Sequence, residues 1–404
     1  MHLTREEERM LSGSRGEAVA RALEVIVRVG EALGAERLVP IRHAHVSGVS
    51  YGNIGEAGAR LLEELAGAGA RFSVPTTVNP LGFDMDNPEP FRVTREYVRG
   101  QMRIIRALRS MGALPSFTCT PYETDAVRSQ PLEPGSHVAW GESSAVVYAN
   151  SFMGLRTNRE GGPLALMAAI AGRTYYYGLH RPEERVPEVE YRVDGGEPLD
   201  EAEAGVLGLV IGEAHRGSRP PALRARLEGD LALRELAAAL GAAGSIGMVH
   251  LHGVTPERLP EGWRPSEVVE VERGDLRGRL EGMAPGDPSS VDIYFVGCPH
   301  YTARDLERLA ALARRYGGVR RGEFIVTISR EAYVEALGRG VIGELRSLGF
   351  RVARDTCLIV SPYPVEGRRI VTNSYKALFY LTRRGAKVGL ARVEDMVRMA
   401  AGAW

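Results

Sequence analysis

Cysteine is scarce in this chain of 404 residues, occurring only as Cys119, Cys298 and Cys357. So small and odd a set cannot build a disulfide framework, and no C-x-x-C pair occurs. That excludes a zinc ribbon, a thioredoxin-type redox pair and a bacterial ferredoxin. Lysine is rarer still: Lys376 and Lys387 stand against forty-nine arginines, and glutamine is limited to Gln101 and Gln130. Little Asn, Gln and Cys is a composition that fits a heat-adapted protein. Net charge is absent, with 51 basic and 51 acidic residues, so no overall field recruits nucleic acid or an anionic membrane. No apolar run reaches the roughly 18 residues of a membrane span, and the charged start MHLTREEERML has no signal core. The chain reads as a cytoplasmic protein with neither a nucleic-acid nor a membrane partner.

What is present is a rhythm of strands, loops and helices. The length argues for several domains. Thr4 and Glu7 form a capping-box pattern for a first short helix. Residues 16–33 repeat apolar positions at helical spacing, then LVPIRHAHVS reads as strand, GVSYGNIG as a glycine loop and EAGARLLEELAGAG as helix. RFSVPTTV is a further strand, residues 94–111 a long amphipathic helix, and LPSFTC a short strand ending at Cys119. Residues 183–245 carry helices and little strand signal. The Gly/Pro/Asp/Ser stretch at 283–290 marks a boundary, after which VDIYFVG reads as a buried strand ending at Cys298. The expected class is α/β, in units of 1–125, 126–285 and 286–404.

Two readings of the cysteines compete. They are three buried thiols acting as small hydrophobes, or three ligands of one site. Each borders a strand-like run and has a proline within five residues, where α/β proteins build sites. Three thiolates suit an iron–sulfur cluster without a fourth protein ligand, whose open iron acts as a Lewis acid on a substrate hydroxyl. The rival is zinc. His43 and His45, and His250 and His252, are i, i+2 pairs on strands, and an H-x-H pair serves barrel hydrolases; the plainer reading is histidines hydrogen-bonded near strand ends. Cys298-Pro299-His300 also suggests a thiol beside its base, although residues so close in sequence seldom face each other productively. The loop 47–58 matches neither nucleotide-binding fingerprint, but backbone N–H groups at a helix start suit a phosphate or carboxylate. In a chain that uses arginine almost everywhere, Lys376 at a helix start marks a place that needs a compact ammonium.

SGVSYGNIG, TTVNPLGFD, FTCTPY, WGESSAVVYANS, GGPLA, VHLHGVTPE, VGCPH and VTNSYKA together resemble the large subunit of the aconitase X family, over essentially the whole chain. The resemblance implies an aconitase-like assembly of α/β units around a central cluster site, lacking the swivelling domain. It implies a cluster, 4Fe–4S with one iron open to substrate, held by Cys119, Cys298 and Cys357. It implies substrate contacts from Gly48, Val49, Ser50, Asn79, Pro80, Glu142, Ser143 and Lys376. Two family activities follow as expectations: dehydration of (R)-mevalonate 5-phosphate to trans-anhydromevalonate 5-phosphate in isoprenoid biosynthesis, favoured here, and dehydration of cis-3-hydroxy-L-proline. Both use a swivelling domain that carries the base, expected here on a separate small subunit in a heterodimer. This chain itself is assigned no catalytic base.

Overall fold

The computed structural model describes residues 1–194 and 196–403. Among them the strands form four sheets, three of them parallel and one a two-stranded antiparallel pair. The largest sheet is built from the C-terminal part of the chain. Its strands lie in the spatial order Phe350–Arg354, Glu323–Ile328, Ile293–Tyr301, Arg369–Thr372, Lys387–Leu390, all parallel. Numbered within this sheet, that order is 3-2-1-4-5. The order in which strands are added therefore reverses between Ile293–Tyr301 and Arg369–Thr372, and ligands of such sheets bind outside the strand ends at that switch point.

The central strand is buried along all nine residues because both of its faces are covered, as parallel sheets require. Tyr294, Val296, Phe324 and Val326 point into a core shared with helices Ala303–Tyr316, Val341–Ser347 and Val393–Ala401. Ile293, Phe295, Ile325 and Ile370 alternate to the other face and meet Phe83 and Phe91 from the N-terminal part of the chain. That second face brings the distant segments around residues 79 and 119 over the sheet.

The N-terminal sheet orders Thr76–Val78, Ala44–Val46 and Ala139–Trp140, so a strand beyond residue 125 still belongs with the first strands. The expected division at 125 cuts through this sheet. The stretch 183–245 differs from its expectation, because it contains strands Val189–Val193 and Ala222–Arg224 of a four-stranded parallel sheet. Their sequence hides this by carrying charge inward: Glu190 is 1% exposed and meets Arg192, Arg224 and His252. LPSFTC is not a strand. It runs irregularly along the edge of Thr76–Val78, with Leu114 and Thr118 donating to Thr76 and Val78 carbonyls at 2.8 and 3.0 Å, and Phe117 at φ 41° turns the chain toward Cys119. The capping box at Thr4 and the helix Arg95–Ser110, capped by Thr94, follow the sequence. No helix among the described residues is long and apolar enough to cross a membrane.

Candidate active site

Cys298 lies in the C-terminal half of the central strand, at the switch point. Cys357 follows the strand Phe350–Arg354, just past a left-handed Asp355 at φ 58°. Cys119 arrives from the N-terminal part of the chain. Contacts of His300 bring all three segments together: its N–H donates to Cys119 Sγ at 3.3 Å, and its ring meets Thr118 Oγ1 at 3.0 Å and the Thr356 carbonyl at 2.9 Å. The three thiols are free and buried, at 7, 4 and 6% exposure for Cys119, Cys298 and Cys357.

Burial pushes the Cys119 thiol up to about 12, with the Glu142 charge adding to the rise. It raises Cys298 well above an ordinary thiol, partly countered by Lys376, and raises Cys357 against the pull of the Val360 and Ile359 N–H groups. Such thiols stay protonated unless a cation takes the proton's place. Buried sulfurs with N–H donors aimed at Cys119 and Cys357, and a neighbouring ammonium, are a soft, charge-compensated donor set that fits an iron–sulfur cluster. Among the described residues, no group of three or more His, Cys, Asp or Glu side chains is gathered for a metal ion.

Beside the cysteines runs a polar chain across two units of the fold. Thr77 donates to His45 Nδ1 at 2.8 Å, and His45 Nε2 donates to Asn79 Oδ1 at 2.8 Å. Asn79 Nδ2 donates to Glu142 Oε2 at 2.7 Å, and Lys376 Nζ closes on Glu142 Oε1 and reaches Ser144 Oγ at 3.3 Å. Burial by itself would raise the Glu142 carboxyl, but the Lys376 ammonium and the Asn79 amide outweigh it and hold it at about 2. Burial would likewise strip Lys376 of its charge; Glu142, with Cys298 and Cys119 beyond it, keeps the ammonium instead. The pair is thus ionised at neutral pH, within electrostatic reach of the cysteines.

This chain disposes of the H-x-H zinc reading. Both ring nitrogens of His45 are engaged, and His43 Nδ1 accepts from Trp140 Nε1 at 3.1 Å. Burial lowers their pKa values to about 4 and about 3, so both are neutral packing histidines. His252 faces Glu190 at 2.7 Å in the middle sheet. Nor is His300 a base for Cys298, since its nitrogens are directed to Thr118 and Thr356.

The other expected contacts surround the same place. Ser50 caps the helix that starts at Tyr51, and its hydroxyl donates to the Val360 carbonyl at 2.6 Å, which ties the Gly48–Val49–Ser50 loop to the Cys357 segment. Gly48 sits at φ 70°, a turn that favours glycine. Gln101 was noticed for its rarity but given no role. It fixes this loop by accepting from Tyr51 N and Gly82 N, both at 3.0 Å, and donating to the Val49 carbonyl at 3.0 Å. Pro80 is buried beside Asn79. Ser143 begins the helix Ser143–Phe152, and its hydroxyl lies 3.3 Å from Glu142.

Sequence reasoning missed Glu235 altogether. It is 1% exposed on helix Gly229–Ala243, with Oε2 unpartnered, and Asn373 Nδ2 lies 3.4 Å from its other oxygen. Burial raises its pKa well above 4.5, which favours the protonated carboxyl. Above pH about 4.5 the unfolded chain has released a proton that the native state keeps, and stability falls with rising pH through this window. Glu235→Gln should flatten that slope, read as urea midpoints from about pH 5 to about pH 8. An unchanged slope would mean that Glu235 is ionised in the fold.

A doubly wound sheet with three thiols and an ion pair at its switch point defines a class, and comparison with known proteins identifies it. The chain belongs to the aconitase X family: the models of the Aconitase X first, second and third domains match residues 1–183, 187–281 and 291–402. It is 54% identical to the phosphomevalonate dehydratase large subunit of Aeropyrum pernix, over 99% of this chain and 100% of that one. Identity to the large subunit of the same name from Thermococcus kodakarensis is 39%, over 99% and 100%. The cis-3-hydroxy-L-proline dehydratase of Pseudomonas aeruginosa is more distant, at 32% over 98% of this chain and 69% of that one. A crystal structure titled Thermococcus kodakaraensis aconitase X (holo-form) superposes with a TM-score of 0.90 at 38% identity, covering 99% of this chain and 100% of that one.

Proposed function

We propose that this chain is the large subunit of a cytoplasmic hydro-lyase that converts (R)-mevalonate 5-phosphate into trans-anhydromevalonate 5-phosphate, a step of isoprenoid biosynthesis. The observation that carries the proposal is His300, two residues from Cys298 at a sheet switch point, in contact with Cys119 and with the residue before Cys357, in electrostatic reach of the Lys376–Glu142 pair. Full-length identity of 54% to a phosphomevalonate dehydratase large subunit supports the choice of substrate. Cys119, Cys298 and Cys357 would hold a 4Fe–4S cluster. When bound, that group supplies a Lewis acid that makes the substrate's C3 hydroxyl a better leaving group.

In the reaction, the C2–H bond gives its electron pair to a new C2–C3 double bond, the C3–O bond breaks, and proton and hydroxide leave as water. The large subunit binds and orients. The N–H groups of the Gly48–Val49–Ser50 loop at a helix start, and the Lys376 ammonium, attract the anionic groups. Asn79 and Glu142 hold Lys376 charged and in place. The base belongs to a small subunit carrying the swivelling domain, in a heterodimer with this chain.

The anaerobically co-purified pair should convert mevalonate 5-phosphate, followed by proton NMR of the new vinylic hydrogen, and leave cis-3-hydroxy-L-proline unchanged. Turnover of the imino acid alone would keep the chemistry and overturn the substrate.

A further inference from the structure

His300 spends every hydrogen-bonding group it has on the three cysteine segments and their support. Its backbone N–H donates to Cys119 Sγ at 3.3 Å. Its Nε2 faces the Thr356 carbonyl at 2.9 Å. A carbonyl oxygen only accepts, so Nε2 carries the proton, and Nδ1 accepts from the Thr118 hydroxyl at 3.0 Å. Thr118 Oγ1 in turn accepts from the Thr120 N–H at 3.1 Å, which fixes the loop on both sides of Cys119. The His300 carbonyl accepts from Arg234 Nη1 at 3.0 Å, and Arg234 is anchored by Asp305, which pairs with Thr302 in the capping box of helix Ala303–Tyr316.

The side chain is wholly buried. It lies two positions from Cys298, while its ring partners lie one position before Cys119 and one before Cys357. Chain separations of 182 and 56 residues are bridged by this one ring. Among the described residues, no other residue links all three segments by hydrogen bonds.

We infer that His300 is a positioning residue that sets the mutual placement of the three cysteine sulfurs, through its Nδ1 link to Thr118 and its Nε2–H link to Thr356. The inference rests on the cluster reading above, but it concerns the protein's own frame. A ring that clamps two loops to a strand leaves the sulfurs little freedom before any group binds, and partners of this kind typically change metal affinity by about 10- to 100-fold.

The test uses the complete heterodimer with three His300 variants. His300→Leu lacks both links. His300→Gln can still donate toward Thr356, and His300→Asn can still accept from Thr118. Two quantities are read: the rate at which a chelator bleaches the visible absorption under anaerobic conditions, and the rate at which iodoacetamide alkylates each cysteine in the iron-free protein. His300→Leu should bleach about 10- to 100-fold faster than wild type and alkylate faster at both Cys119 and Cys357. His300→Gln should protect Cys357 more than Cys119, and His300→Asn the reverse. Thr118→Val removes only the hydroxyl link and should loosen Cys119 alone, which keeps the inference testable if His300→Leu fails to fold. Bleaching and alkylation rates equal to wild type in all four variants would overturn it. Wild type without iron would overturn the cluster reading instead, and the alkylation pattern would still judge His300.

Discussion

Replacing Cys298 by serine should cost the protein its iron and about 10²- to 10³-fold or more of its dehydratase rate, while leaving it folded. Cys298 is 4% exposed within a strand buried along its whole length. Serine is close in size, so the change in stability should stay near about 1 kcal/mol. A hydroxyl is a harder donor that gives up its proton far less readily than a thiol, so it does not replace a thiolate on iron. Losing a Lewis acid removes several kcal/mol of transition-state stabilisation, and each 1.4 kcal/mol is tenfold in rate. Cys119→Ser and Cys357→Ser should behave alike, because the account gives the three sulfurs one task. Iron content and melting temperature measured on the same preparations decide the matter. A variant that keeps iron, or loses it only by unfolding, would break the three-ligand assignment at that position.

The second large effect concerns Lys376. The ammonium is 7% exposed and paired with Glu142. Lys376→Met should destabilise the chain by about 3–5 kcal/mol, because it leaves the Glu142 carboxylate buried and uncompensated. The double variant Lys376→Met/Glu142→Gln should recover most of that stability, since both charges are then gone, yet remain inactive, because the proposal has this ammonium meet the substrate anion. Lys376→Arg should also fail, since a planar fork does not fit where a compact point charge sits between Glu142 and Ser144. Denaturant midpoints and turnover of the three variants separate the two roles. A double variant that regains activity would make the pair purely structural.

Glu142 adds a check from pH. Its folded carboxyl is held at about 2 against an ordinary 4.5. Its contribution is therefore complete above about pH 4.5 and disappears as pH falls through 2. Glu142→Gln should shrink the acid-side loss of stability.

The parts of the fold that could be read in advance are those where local chemistry and tertiary role agree. In VDIYFVG the strand residues Ile293 to Val296 are all apolar because the strand is covered on both faces, so its burial is written in its composition. Thr4 and Glu7 look like a capping box and form one. The strand VEYRV was hidden because Glu190 points inward, which is tolerated because Arg192 on the same strand is joined by Arg224 and His252 from other segments. LPSFTC looked like a strand because Leu114, Phe117 and Cys119 are apolar, whereas its backbone must turn at Phe117 to deliver Cys119.

The site divides in the same way. Rarity exposed the cysteines and Lys376, since a residue type kept only a few times draws notice at each position. His300 and Glu235 gave no such signal. Histidine after Cys-Pro suggested a base for its neighbour, and only the partners 182 and 56 residues away reveal a clamp. Glu235 sits in LALRELAAALG like any surface carboxyl of an amphipathic helix, and only the packing of that helix against the helices Glu201–Ala214, Ser143–Phe152 and Tyr375–Arg383 buries it.

The central claim is that three cysteines of this chain carry an iron–sulfur cluster on which a small phosphorylated hydroxy acid loses water. The most direct measurement is iron and acid-labile sulfide in the wild-type heterodimer, purified without oxygen and assayed in the same preparation on mevalonate 5-phosphate. The account predicts about three to four irons per large subunit with matching sulfide, and turnover that falls in proportion as iron is removed. Full turnover by a preparation free of iron would contradict it.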